Sequence, residues 1–258
     1  MPPAPISSRP TMGEARARQV QTIFSEIAPR YDLLNHILSL NVDRAWRRRL
    51  VDQLAPDLRD AGSTSARPSE RRSPVRVLDA CAGTYDLSLE LAGRPWFGGS
   101  VVALDFAEPM LVEGKAKLVG TAVRPTCADG LRMPFRGGTF DAAMVGFGVR
   151  NLSDLDGGLS ELLRVLRPGG QLAVLEFTTP PSALLRRLYL FYFHRVLPLV
   201  GRAVSGHPWA YTYLPESVRE FPGPQAFAAK FETAGFCEVS WSYLTGGIAA
   251  IHLGRKPR

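Results

Sequence analysis

The chain changes rhythm near residue 75. Before that point Val20, Ile23, Phe24 and Ile27 recur at three- and four-residue spacing, the pattern of one apolar helix face. Pro29 stops that helix, and Tyr31 to Leu40 and Asp43 to Leu54 read as two more. After it, short apolar runs alternate with helical patterns. Strands are predicted at Val75–Ala80, Val101–Asp105, Val123–Ala128, Phe140–Gly146 and Gln171–Phe177. Helices are predicted between them at Leu87–Ala92, Glu108–Leu118 and Asp154–Leu166. This alternation predicts an α/β fold, a mostly parallel Rossmann-like sheet with helices on both faces. A last helix, Pro224–Ala234, leads to strands Glu238–Leu244 and Ile248–Gly254, and Thr245-Gly246-Gly247 between them signals a hairpin.

This organisation divides the chain into four parts. Residues 1–11 are Pro- and Ser-rich and are expected to be disordered, and 12–55 form an N-terminal helical segment. Residues 56–74, PDLRDAGSTSARPSERRSP, read as a polar linker or mobile loop. Residues 75–258 form the core, with a helical insertion at about 182–215 that begins with the apolar, aromatic stretch Ser182–Val200.

Composition narrows the function classes. At 258 residues the chain can bury a full core, and 45% hydrophobic and 21% charged residues are ordinary for a globular protein. The net charge of +7 suits anionic surfaces, but the 27 Arg and 4 Lys are spread along the chain. Without a basic stripe carrying stacking aromatics, nucleic-acid binding is not expected. Cys81, Cys127 and Cys237 are far apart and the four histidines are scattered, so no metal site is predicted. MPPAPISSRP does not read as a signal peptide, and no run of about 18 apolar residues occurs. A cytoplasmic location is the expectation.

The candidate chemistry lies at the strand ends, where ligands of such sheets bind. In VRVLDACAGTYDLSLEL a strand, a tight turn and a helix start follow in order. Gly83 frees the turn for close backbone approach, Thr84 offers a hydroxyl, and Asp79 a carboxylate for an amino group or its bound water. Asp105 ends the next strand, placed to accept both ribose hydroxyls of a nucleoside, with Phe106 beside it. Asp129 and Gly130 follow the third strand, where a carboxylate can take the exocyclic amine of adenine, and Gly146 ends the fourth. Each aspartate alone is an ordinary turn residue; three at successive strand ends point to a nucleoside. A dinucleotide would want G-x-G-x-x-G, and Cys81–Asp86 holds a single Gly. S-adenosylmethionine has no pyrophosphate and suits this turn better.

These motifs, with several others in order, resemble the quinone-biosynthesis C-methyltransferases, the demethylmenaquinone and polyprenyl-benzoquinol methyltransferases, from about Val20 to the C-terminus. YDLLNHILSLNVDRAW is similar to one family signature, with Leu34 and Asp43 at positions where the family has Met and His. RVLRPGGQLAVLEFT matches a second, with Thr178 in place of Ser, and MPFRGGTFD, GFGVRN and AYTYLPESVREFP resemble further family segments. The resemblance implies a class I S-adenosylmethionine-dependent methyltransferase with an N-terminal helical lid. It implies methyl transfer to carbon of a polyprenylated quinol, most simply demethylmenaquinol. Another aromatic or lipid acceptor on the same scaffold, or a non-catalytic partner in quinone synthesis, are the alternatives. The ring carbon is nucleophilic in the quinol, above all as its phenolate. Arg150, in GFGVRN, is the expected fixed cation beside it, with Asn151 orienting the quinol oxygen. Tyr31 and Asp32 are expected to close over the cleft from the lid. An isoprenoid substrate implies contact with the inner membrane surface, and Leu188–Val200 is the segment to line its tail or touch the bilayer. Oligomeric state stays open, a homodimer included.

One residue departs from the family. Its first turn looks like G-T-G-D, whereas this chain has Gly83-Thr84-Tyr85-Asp86. If that position needs a positive φ, Tyr85 costs about 1–2 kcal/mol, and its ring either occupies part of the methionine pocket or points away.

Overall fold

The computed structural model describes residues 20–22, 24–26, 28, 39, 41–62, 74–192, 195 and 210–258. The strands are β1 (Arg76–Ala80), β2 (Ser100–Asp105), β3 (Val123–Cys127), β4 (Phe140–Gly146), β5 (Leu166–Phe177), β6 (Cys237–Leu244) and β7 (Ala249–Arg255). They form one sheet in the order β3-β2-β1-β4-β5-β7-β6. The first five are parallel, and β7 lies antiparallel between β5 and β6. The predicted parallel sheet closed by a hairpin is therefore observed. Strand order reverses at β1 and β4, so a crevice opens at their carboxyl ends.

Among the α-helices of the described residues are α1 (Val42–Gly62), α2 (Asp86–Ala92), α3 (Glu108–Gly114), α4 (Leu155–Val165), α5 (Ala183–Phe191), α6 (Ala210–Glu220) and α7 (Pro224–Thr233). Strand side chains alternate between two cores. Val77, Val101, Ala103, Ala142 and Met144 face Trp46, Leu50, Leu54 and Leu58 of α1 and Leu87 and Leu91 of α2. Leu78, Val102, Leu104, Ala143 and Val145 face Leu159 and Leu162 of α4 and Phe227 and Phe231 of α7.

Two elements differ from expectation. α1 continues past Leu54 and through Pro56 to Gly62, into the predicted linker. Leu58 stands one turn beyond Leu54 and is 3% exposed in the same core, which offsets the helix-breaking cost of about 3 kcal/mol for an interior proline. The helix predicted over Glu108–Leu118 tightens to a 3₁₀ turn, Lys115–Leu118, after Gly114, a weak helix former. The predicted disordered N-terminus, most of the helix over Tyr31–Leu40, most of the 56–74 segment and most of residues 193–209 in the 182–215 insertion lie outside the described residues. No helix among the described residues is long and apolar enough to cross a membrane.

His252 on β7 is buried among Phe227, Phe231 and Trp241, and its Nε2 lies 2.9 Å from the Pro224 carbonyl. Burial pushes its pKa down from 6.5 to about 4. Between those values the unfolded chain binds the extra proton, so this residue's contribution to stability falls as pH drops from 6.5 to 4, by about 3 kcal/mol. Asp79 works in the opposite sense, because burial raises its carboxyl from 3.8 to about 7, so its contribution falls as pH rises between those values. The difference between parent and His252→Gln isolates the histidine. Urea titrations at pH 7 and pH 4 are expected to show the parent's advantage shrinking by about 3 kcal/mol; an unchanged difference would contradict it.

Candidate active site

The crevice at the ends of β1 and β4 holds a cleft bordered by Gly83, Asp105, Gly146 and Asn151. Its floor is the turn after β1. Cys81, Gly83 and Tyr85 all take positive φ (58°, 54° and 73°), which folds five residues back on themselves. Ala82 N–H donates to the Leu104 carbonyl at 3.0 Å, tying the turn to β2. Gly83 N–H donates to Asp105 Oδ2 at 2.8 Å, and Ala107 N–H to Oδ1 at 2.9 Å. One carboxylate thus locks the ends of two strands together. Gly148 closes the far side: a Cβ there would stand 2.3 Å from the Cβ of Cys81.

Tyr85 leaves the cleft. Its left-handed backbone aims the ring between α2 and α3, where it is wholly buried. The phenol donates to the Leu111 carbonyl at 2.6 Å. Space for the ring comes from Gly114, where a Cβ would lie 2.6 Å from Tyr85 Cδ2. The predicted backbone strain is present, and the ring takes the outward course of the two considered.

The expected site residues divide into two groups. Gly83, Asp105, Phe106, Gly146 and Asn151 line the cleft together. Asp79 does not: it shares the sheet face of Val77, is 1% exposed, and accepts a 2.6 Å hydrogen bond from Ser88 on α2. Thr84 is buried, with its carbonyl accepting from Lys117 Nζ at 3.2 Å. Asp129 is exposed and accepts from Leu131 N–H at 2.8 Å in a local turn, and buried Gly130 packs near Leu152. Tyr31 and Asp32 lie outside the described residues.

Arg150 lies in the short 3₁₀ turn Val149–Asn151 after β4 and is buried. Its Nη1 donates to Glu176 Oε1 at 2.7 Å and to the Phe147 carbonyl at 2.6 Å, with the guanidinium over the Phe177 ring. Glu176, at the end of β5, is fully buried; desolvation raises its pKa, against the pull of Arg150. The charge expected of Arg150 is therefore shared with a buried acid. Asn151 faces the cleft while its Oδ1 accepts from the Tyr213 hydroxyl of α6 at 2.8 Å. That bond fixes the amide so that Nδ2 is the donor.

Sequence reading missed Glu176, Tyr213, Phe147, Gly148 and Met110. All but Met110 stand in segments singled out for their resemblance, yet neither period nor spacing marks which side chains turn inward. Phe24, from the N-terminal helical segment, also lines the cleft, and Gln21 Nε2 donates to the Phe106 carbonyl at 3.1 Å. Trp46 of α1 packs on Phe147 and Phe177 in an aromatic wall behind them. No cluster of three or more metal-ligating side chains occurs among the described residues.

The cleft fits an S-adenosyl nucleoside. A carboxylate has about four acceptor positions. Gly83 and Ala107 N–H groups each take one position on Asp105, with Phe106 N–H nearby, which leaves acceptor capacity for a ribose hydroxyl. Phe106, Met110 and Leu152 offer apolar walls to a purine, and the turn at Gly83 offers backbone to the amino-acid end.

Known proteins share this chain's sequence family and fold. The model of the ubiE/COQ5 methyltransferase family matches residues 12–256. The chain is 48% identical over 237 residues to a demethylmenaquinone methyltransferase of Thermus thermophilus, covering 91% of this chain and all of that one. It is 41% identical over 245 residues to the ubiquinone/menaquinone biosynthesis C-methyltransferase UbiE of Geobacter sulfurreducens, covering 93% and 90% of the two chains. The fold is shared with a SAM-dependent methyltransferase of Thermotoga maritima whose structure is solved, at TM-score 0.60 and 15% identity over 92% of this chain and 99% of that one. With a family match across nearly its whole length, the chain belongs to the ubiE/COQ5 methyltransferase family.

Proposed function

We propose that this S-adenosylmethionine-dependent methyltransferase methylates a ring carbon of a polyprenylated quinol, demethylmenaquinol in the first instance. The observation that carries the reading is the cleft at the β1/β4 switch point, floored by Asp105 and Gly83 and bordered by Asn151, in a chain 48% identical to a demethylmenaquinone methyltransferase. When bound, the donor's sulfonium supplies the methyl group to the nucleophilic ring carbon as its C–S bond breaks, and loss of that carbon's proton to Asp32 or water restores the aromatic ring. Gly83, Asp105 and Phe106 hold the nucleoside, and the aromatic wall excludes water. Asn151 Nδ2 donates to a quinol oxygen and favours its ionised form. Arg150 acts from behind: its bond to the Phe147 carbonyl fixes the turn that carries Asn151, and Glu176 holds it there. Tyr31 and Asp32 complete the lid, a role that rests on the resemblance alone. Asp79 and Thr84 support the cofactor turn from beneath, and Asp129 and Gly130 border the adenine side. A lipid substrate brings the protein to the inner face of the membrane.

The reading is tested with methyl-labelled donor and reduced demethylmenaquinone. A single labelled methyl on ring carbon, absent with the oxidised quinone, is expected; methylation only at oxygen, or none, would overturn it. Tyr213→Phe should lower kcat about tenfold with the donor's Kd unchanged, because the amide of Asn151 can then rotate its acceptor toward the quinol, a loss of about 1.4 kcal/mol. Unchanged kcat would remove Tyr213 from this role.

A further inference from the structure

Among the described residues, the outer side of α5 is an exposed apolar face. Inward, Tyr189 is buried within the electrostatic field of Arg150 and Glu176, and Leu185 packs against Gly246 of the β6–β7 turn. Outward, Leu184, Leu188 and Phe191 are 72%, 58% and 62% exposed, and their spacing of four and three residues puts them along one side of the helix. Arg187 is exposed beside them, three residues from Leu184 and four from Phe191; Arg186 is exposed on the far side, its Nη2 donating to the Pro181 carbonyl at 3.1 Å; and α5 carries no acidic residue. Residues 177–215 as a whole contain four Arg and no Asp or Glu. The aromatic edge of β6 adjoins the root of this helix: Trp241 and Tyr243 are exposed, and both Tyr243 and Pro181 crowd against Gly247.

We propose that the outward face of α5, with Arg187 at its edge, docks the protein on an anionic lipid bilayer. At nine residues the helix spans about 14 Å, too short to cross a membrane and suited to lying in its surface. Charge selects the occupant. A second copy of this face would set Arg187 against a helix with no acidic residue, whereas anionic headgroups pair with it while the leucines and Phe191 enter the acyl boundary. The exposed Trp241 and Tyr243 are the residue types that anchor at such interfaces. The surface also connects to the cleft. Trp46 Nε1 donates to Thr245 Oγ1 of the turn under α5 at 2.8 Å, and Trp46 packs on Phe147, which lines the cleft. That wall would carry a prenyl tail from cleft to bilayer, a step that rests on the quinol reading.

The test is co-sedimentation of the full chain with vesicles of phosphatidylglycerol and phosphatidylcholine, or of phosphatidylcholine alone, at low and high salt. Binding to the anionic vesicles is expected to exceed that to neutral ones at least ~tenfold and to weaken with salt. Leu184→Ser/Leu188→Ser/Phe191→Ser and Arg187→Glu should each lose at least ~tenfold of it, with S-adenosylhomocysteine affinity unchanged as proof of folding. Parent-like sedimentation of the triple variant overturns the proposal. So does a parent dimer that the triple variant abolishes while vesicle binding persists, since the face would then serve a second copy. Methylation of a tail-less, water-soluble demethylnaphthoquinol is read separately: its failure in the parent sinks the quinol reading and leaves the vesicle result standing.

Discussion

Replacing Asp105 by Asn is expected to weaken binding of S-adenosylhomocysteine about 30- to 1,000-fold, or about 2–4 kcal/mol. The carboxylate accepts from Gly83 and Ala107, one bond on each oxygen. An amide keeps one acceptor and turns an NH₂ toward one of those two N–H groups, so the cofactor turn must shift even before a ligand arrives. The ribose hydroxyls then lose a charged acceptor, and hydrogen bonds to charged groups contribute about 1.5–3 kcal/mol each. Burial already raises the pKa of Asp105, and the backbone N–H bonds work against that rise, so the carboxylate depends on the same contacts that the substitution removes. Calorimetric titration of parent and variant measures the ratio. An affinity within threefold of the parent would mean that the nucleoside sits elsewhere.

Restoring the family's glycine at position 85 is expected to destabilise the protein, by about 2–4 kcal/mol, while leaving cofactor affinity nearly unchanged. Tyr85→Gly relieves the left-handed backbone at φ 73°, worth about 1–2 kcal/mol. Against that stands the loss of a fully buried aromatic ring, about 3–5 kcal/mol, and of the hydrogen bond to Leu111. Packing therefore outweighs strain. Gly114 gives an independent check, because a Cβ there would lie 2.6 Å from the Tyr85 ring and 2.8 Å from the Thr84 carbonyl. Gly114→Ala should cost about 1–3 kcal/mol by overpacking. Denaturant midpoints and donor titrations on the same samples separate the two effects. A Tyr85→Gly variant that binds the donor tenfold more tightly would place the ring in the methionine pocket after all.

Much of the frame could be read from the residues. Apolar runs of strand length alternating with amphipathic helices gave five parallel strands with ends within a few residues of those observed, and the Thr245-Gly246-Gly247 turn marked the closing hairpin. Long-range packing was less visible. Leu58 carries α1 through a proline that local rules treat as a stop, and only the buried face of the sheet explains it. At the site, strand-end position located Asp105 and the cleft. It could not say that Asp79 points into the core, because alternation along β1 places it on the same face as Val77. Charge reading found Arg150 but not Glu176, whose place at the end of an apolar strand looks in sequence like an ordinary strand terminus. The course of the Tyr85 ring depended on a glycine 29 positions later, a complementarity that no local pattern encodes.

Difference density from a co-crystal with S-adenosylhomocysteine tests the central claim most directly. The nucleoside should lie between Phe106 and Leu152 with both ribose oxygens within hydrogen-bonding reach of Asp105, and the phenol of Tyr85 should stay on the Leu111 carbonyl. Density for the ligand away from Asp105, or a Tyr85 ring swung into the space beside Gly83, would contradict the account.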